Sequence, residues 1–205
     1  MSPRTSVIAS MTEKIMGPAR LEAFSDGVLA VIITIMVLDL KVPASRDPAA
    51  LLALWPTFLS YLLSYLVVAI YWVNHHRLFH LCRRVNNTLL WVNILYLFCI
   101  SLIPFATAYL GAGGFTAFSA AIYGSSMLLA NLAAFRLRGV IAAQVEDPAA
   151  FAEVHRRTLM KGYVSASLYA ASIPLAYVHP AVTLVLCFVV AAMYFLPDAW
   201  LGESD

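Results

Sequence analysis

The chain has 205 residues, 62% of them hydrophobic and 12% charged, with a mean hydropathy of +0.82, far from the balance of a soluble domain. Its net charge of +2, with no basic run interleaved with aromatics, argues against a nucleic-acid partner. An integral membrane protein remains: at about 20 residues per crossing, the length holds a handful of helices and short loops, so one compact membrane domain over residues 1–205 is expected.

The first eighteen residues carry Arg4, Glu13, Lys14 and two prolines but no continuous apolar run, so no cleaved signal peptide is expected and the first span supplies the targeting. That span runs over residues 19–42 and stops at Pro43 and the polar stretch after it. A second, over 49–74, gives way to His75, His76, Arg77 and a basic stretch. The third, 88–110, contains Pro104 and ends at Gly-Ala-Gly-Gly, a turn short enough only for a hairpin. A fourth, 115–138, leads into a polar connector with Glu146, Asp147, Glu153, His155, Arg156 and Arg157. The fifth covers 157–177 and the sixth 181–200, separated by His179 and Pro180. The expected fold is all-α, a polytopic membrane protein with six transmembrane helices. Cys82, Cys99 and Cys187 are odd in number and form no CxxC pair, so neither a disulfide framework nor a zinc cluster is indicated.

Orientation follows the basic residues. With the amino terminus inside, the inner segments hold Arg4, Lys14, Arg20, Arg77, Arg83, Arg84, Arg136, Arg138, Arg156, Arg157 and Lys161, eleven of the thirteen, and the outer loops only Lys41 and Arg46. Both termini are therefore expected in the cytoplasm of a cell whose inner membrane holds the chain. No internal repeat of the inverted-transporter kind is found.

Polar residues inside the spans direct attention to the first helix. A carboxylate in or at the edge of a span is costly unless paired or hydrated, which makes Asp26, beside Ser25, a functional candidate. Gly27, Val31, Thr34 and Leu38 follow at steps of four, three and four and keep one seam on one helical face, with Ser25 and Asp26 off it. Trp72, Asn74, His75, His76 and Arg77 at the basic end of the second span offer partners, since an indole nitrogen only donates and a carboxylate only accepts. Adjacent histidines diverge by about 100° on a helix; no metal-ligand spacing is assigned to them, and neither a metal nor another cofactor is expected. Asn93 in the third span is read as a helix-packing hydrogen bonder, and the Thr34 hydroxyl can bond back to its own helix. No phosphate loop or activated nucleophile is present, so enzymatic activity is not expected.

These residues resemble a known pattern. Arg20 followed by Phe24, Ser25 and Asp26, then residues 27–38 (GVLAVIITIMVL), is similar to the first-helix signature of the transmembrane protein 175 family of potassium channels. Residues 72–79 (WVNHHRLF), Asn93 and the Pro104, Phe105 pair extend the resemblance to the prokaryotic six-helix members. The resemblance implies a homotetramer surrounded by membrane lipid, with the first helix of each subunit lining a central path for monovalent cations. It places Val31, Thr34, Ile35 and Leu38 at a hydrophobic constriction that selects potassium modestly over sodium, the potassium ion being the permeant species. The Arg20, Phe24, Ser25, Asp26 group then points away from the pore and bonds to Trp72, Asn74 and either His75 or His76. No TVGYG filter is present, which agrees. The alternative is a small proton-coupled secondary transporter exchanging protons at Asp26 and His75 or His76. A membrane enzyme built on the same groups requires a metal.

Overall fold

The computed structural model describes residues 17–112, 114–145 and 148–195, and among them there are helices and connections but no strand. Helix α1 (Pro18–Leu38) begins at a proline, whose missing N–H costs nothing in a first turn. A short α2 (Pro48–Leu52) is capped by the Asp47 carboxylate, which accepts from the Ala49 amide at 3.1 Å. Helix α3 (Trp55–Phe79) follows at once. Asn86 caps α4 (Asn87–Ser101) by accepting from Leu89 N at 2.8 Å, and Leu102 separates it from α5 (Ile103–Ala112). The break lies two residues before Pro104, which brings no amide proton to the helical ladder. Thr116 caps α6 (Ala117–Ala142), and α7 (Pro148–Leu175) and α8 (Ala181–Phe195) complete the bundle.

These helices do not share the bounds expected for the spans. The second expected stretch, 49–74, is divided between α2 and α3, and α3 continues through the histidines to Phe79, because nothing in residues 75–79 breaks a helix. The stretch expected as a polar connector from Pro148 onward is the first part of α7; Glu146 and Asp147 lie outside the described residues, as does the end of the sixth stretch beyond Phe195. At the expected hairpin, α5 runs to Ala112, and Gly114 (φ 68°) and Phe115 (φ 58°) make the turn into α6 in the left-handed region, where glycine carries no penalty and phenylalanine does.

Among the described residues, four segments are long and apolar enough to cross a membrane: Pro18–Leu38, Trp55–Phe79, Asn87–Ala112 and Ala117–Ala142. Helix α1 is the least covered of the four, with 28% of its apolar window buried against 56% in α6. The core is apolar side chains from every long helix, among them Leu29, Val68, Ile100, Tyr123, Met127 and Cys187. Polar ties cross it. Ser64 Oγ meets Thr107 Oγ1 at 2.7 Å and Tyr123 OH at 2.9 Å, and Tyr96 OH donates to the Tyr71 carbonyl at 3.0 Å, joining α3 to α4, α5 and α6.

Close packing of α6 on α7 and α8 depends on a missing side chain. A Cβ at Gly124 would meet Ser172 Oγ and come within 3.5 Å of Thr183 Cγ2. Ser172 can turn aside for a methyl group but not for an isobutyl one. Gly124→Leu is therefore expected to destabilise the bundle by about 1–3 kcal/mol through overpacking, read as a lower midpoint of thermal unfolding in detergent; an unchanged midpoint would show that α7 and α8 yield at no cost.

Candidate functional site

Helix α1 has two faces of different character. Leu21, Ser25, Leu29, Ile32 and Met36 recur at steps of four, four, three and four and are all buried against α3, α4 and α5. The opposite face is open: Phe24 is 54% exposed, Val31 53%, Ile35 47% and Leu38 70%, with Gly27 and Thr34 exposed among them. An apolar groove of about 640 Å³ runs along this face, walled on one side by Ser101 and Pro104. A contiguous apolar stripe of this size on one helix is not the scattered exposure ordinary for single residues. Thr34 donates its hydroxyl proton to the Val31 carbonyl at 2.9 Å, leaving its oxygen lone pairs on the exposed side.

What holds α1 in this rotation is a buried chain of polar contacts. Ser25, fully buried, donates to the Leu21 carbonyl at 2.8 Å and accepts from Asn93 Nδ2 at 2.9 Å. Asn93 Oδ1 in turn accepts from His75 Nε2 at 2.9 Å, so three helices meet at one amide side chain. The His75 ring lies between Phe79 and Tyr96, with centroids 4.2 and 5.4 Å away. Beside this chain, Trp72 Nε1 donates to Asp26 Oδ1 at 2.9 Å. One turn earlier on α1, Glu22 Oε1 accepts from His76 Nδ1 at 2.8 Å, and His76 Nε2 stands 3.0 Å from His80 Nε2. Three of these bonds tie α1 to its own protomer: Ser25 to Asn93 on α4, and Asp26 and Glu22 to Trp72 and His76 on α3.

The sequence-derived group is only partly assembled. Trp72 meets Asp26 as expected, and His75 rather than His76 reaches the Ser25 layer. Phe24 does not join the network, because three residues before Gly27 and seven before Val31 it belongs to the exposed stripe. Arg20, four residues earlier still, is exposed on the same side and takes no part. Asn74 lies about 200° around α3 from Trp72 and turns away from α1, donating to the Ile70 carbonyl at 2.9 Å. His76 goes to Glu22, a residue the sequence reading passed over although it stands four before Asp26. Asn93 packs the helices as anticipated, at the centre of the site. Likewise missed was the spacing of His76 and His80, four apart on one face, so the expectation of no metal-ligand pattern was incorrect.

A second polar feature lies behind His75. Its Nδ1, Asn131 Oδ1 and Arg138 Nη1 are buried without a protein partner among the described residues. They line a cavity of about 50 Å³ between α3, α4, α6 and α7; at about 10–15 Å³ per water centre it has room for several bridging waters.

A helical, polytopic membrane protein whose first helix is locked on one side by a buried polar chain and open along an apolar stripe on the other is the class defined by this fold and site. A family model described as endosomal/lysosomal potassium channel TMEM175 matches residues 20–104, the stretch that carries both the stripe and the polar chain. A potassium channel of Chryseobacterium sp. (strain P1-3) is 38% identical over 190 residues, covering 92% of this chain and 98% of its own, and one of Streptomyces collinus is 35% identical over 85% and 90%. The fold matches a solved structure, a lysosomal potassium-selective channel TMEM175 homologue from Chamaesiphon minutus, with a TM-score of 0.75 at 29% identity over 86% of this chain and 95% of that one. The chain belongs to the TMEM175 family.

Proposed function

We propose that this chain is a subunit of a homotetrameric cation channel that passes potassium passively and prefers it modestly over sodium. The observation that carries this reading is the open stripe Val31, Thr34, Ile35 and Leu38 on a helix whose other face is fastened to its own protomer. One stripe per chain can enclose a path only when several chains share it, and closed rotational symmetry is the common solution. The relatives named as potassium channels support the choice of ion. In this reading six segments cross the inner membrane of the cell with both termini cytoplasmic, the basic end of the bundle faces inward, and potassium is the permeant ion with no resident cofactor.

Aliphatic side chains at three levels, Val31, Ile35 and Leu38, gathered about an axis form a narrow apolar constriction, where an ion sheds part of its hydration without charged replacements. Potassium gives up water more readily than sodium. Thr34, its proton committed to Val31, adds a ring of oxygen lone pairs at the one polar level of the stripe. Opening requires the α1 helices to separate or rotate, which the Ser25, Asp26 and Glu22 ties to α3 and α4 restrain.

Passive flux into proteoliposomes, potassium against sodium, on protein whose subunit number is measured in parallel, tests the proposal. Flux that follows the potassium gradient in a tetramer supports it; saturable flux that requires a proton gradient selects the transporter reading. Thr34→Val is expected to lower the potassium to sodium permeability ratio several-fold, and an unchanged bi-ionic reversal potential removes the hydroxyl from selectivity.

A further inference from the structure

We propose that His76, His80 and Glu22 form a binding site for a borderline divalent transition metal, zinc above all, which clamps the beginning of α1 to the end of α3. The two histidines stand four residues apart and leave α3 on one face. Their Nε2 atoms are 3.0 Å apart, with the rings nearly perpendicular at 78°. Two nitrogens bound to zinc at about 2.0–2.1 Å with tetrahedral angles are roughly 3.4 Å apart, so a metal replaces the hydrogen bond between them after a displacement of a few tenths of an ångström.

Glu22 completes the chemistry. A carboxylate only accepts, so its 2.8 Å contact fixes the proton of neutral His76 on Nδ1 and leaves the Nε2 lone pair aimed at His80. A ligand histidine whose other nitrogen donates to a carboxylate is the usual outer-sphere support of a zinc site. One ligand atom from each of the three residues also falls within a 4.8 Å cluster, so Glu22 reaches the metal directly if its carboxylate turns from Nδ1. His80 is exposed, so water fills the remaining positions. Imidazole donors select zinc, cobalt, nickel or copper, whereas magnesium and calcium require oxygen ligands. Because Glu22 belongs to α1 and the histidines to the last turn of α3 and its C-cap, occupancy holds α1 against α3 and restrains the movement of α1 that channel opening requires. That last consequence rests on the channel reading; the binding itself does not.

The test uses the intact channel in detergent, stripped with chelator and then titrated with zinc by equilibrium dialysis, and with cobalt for its coordination spectrum. One zinc per chain at micromolar concentration is expected, with affinity reduced at least tenfold in His80→Ala and in His76→Ala. The conservative Glu22→Gln variant should weaken binding about tenfold, and His179→Ala, between α7 and α8, should leave it unchanged. Absence of micromolar binding, or equal binding by the His76→Ala, His80→Ala double variant eluting at the native oligomeric size, overturns the site. In proteoliposomes zinc on the side bearing His80 should slow potassium flux several-fold in the parent but not in His80→Ala; binding without slowing overturns the clamp. Zinc binding by a protein that passes no potassium would count against the channel reading and leave the site standing.

Discussion

Replacing Asn93 with leucine is expected to produce the largest loss of both stability and flux among single substitutions at this site. Its amide donates to Ser25 on α1 while accepting from His75 on α3. Leucine occupies nearly the same volume but leaves the His75 Nε2 proton, on a residue 2% exposed, without an acceptor, and deprives Ser25 of a donor. Each buried group stranded in this way costs about 1–3 kcal/mol, so a fall of several degrees in the unfolding midpoint is expected. Flux should fall with it, because α1 loses the contact that sets its rotation and therefore which residues face the open stripe. A double variant, Asn93→Leu with His75→Phe, removes both partners together; it should recover part of the stability but not the flux. If the two single losses simply add, His75 and Asn93 act independently and the chain from α3 to α1 is not a functional unit.

The second large effect is expected at the collar. In the proposed tetramer, Ile35→Ala together with Leu38→Ala removes eight branched side chains from the axis, widening the constriction and easing its hydration. Potassium flux should rise about tenfold, equivalent to about 1.4 kcal/mol off the barrier, while the unfolding midpoint moves little, since both residues are about half exposed or more in the protomer. Leu29→Ala provides the contrast on the same helix: that side chain is fully buried, and its truncation should cost about 2–5 kcal/mol. Equal effects of the two changes on flux and stability would show that the stripe is not a pore lining. Unchanged flux in the double variant would place the gate elsewhere.

Much of this arrangement is legible before any fold is known. A helix turns about 100° per residue, so the spacing of Gly27, Val31, Thr34 and Leu38 already separates one face of α1 from the face of Ser25, whichever direction either looks. The indole of Trp72 and the carboxylate of Asp26 are complementary by donor inventory alone, and their pairing follows once α1 and α3 lie side by side. Composition fixes the membrane class for a similar reason, since 62% hydrophobic residues leave too little polar surface for water.

Where periodicity stopped, the neighbours decided. His75 and His76 are chemically alike and adjacent, and only the crossing of α3 between α4 and α1 sends the first to Asn93 and the second to Glu22. The signature that groups Arg20 and Phe24 with Ser25 and Asp26 is contiguous along the chain but not around the helix, so two of its members fall on the open face and two on the locked one. Helix ends escaped for another reason: α3 continues through Asn74, His75, His76 and Arg77 because polarity does not break a helix, and the position at which apolar sequence gives way to polar marks a change of surroundings rather than a change of backbone. The sequence alone determined an all-helical membrane protein with a two-faced first helix. Which residue each buried polar group meets was settled only by tertiary packing, because a hydrogen bond requires a partner within about 3 Å and residues 18 to 68 positions apart in the chain have no distance until the helices pack.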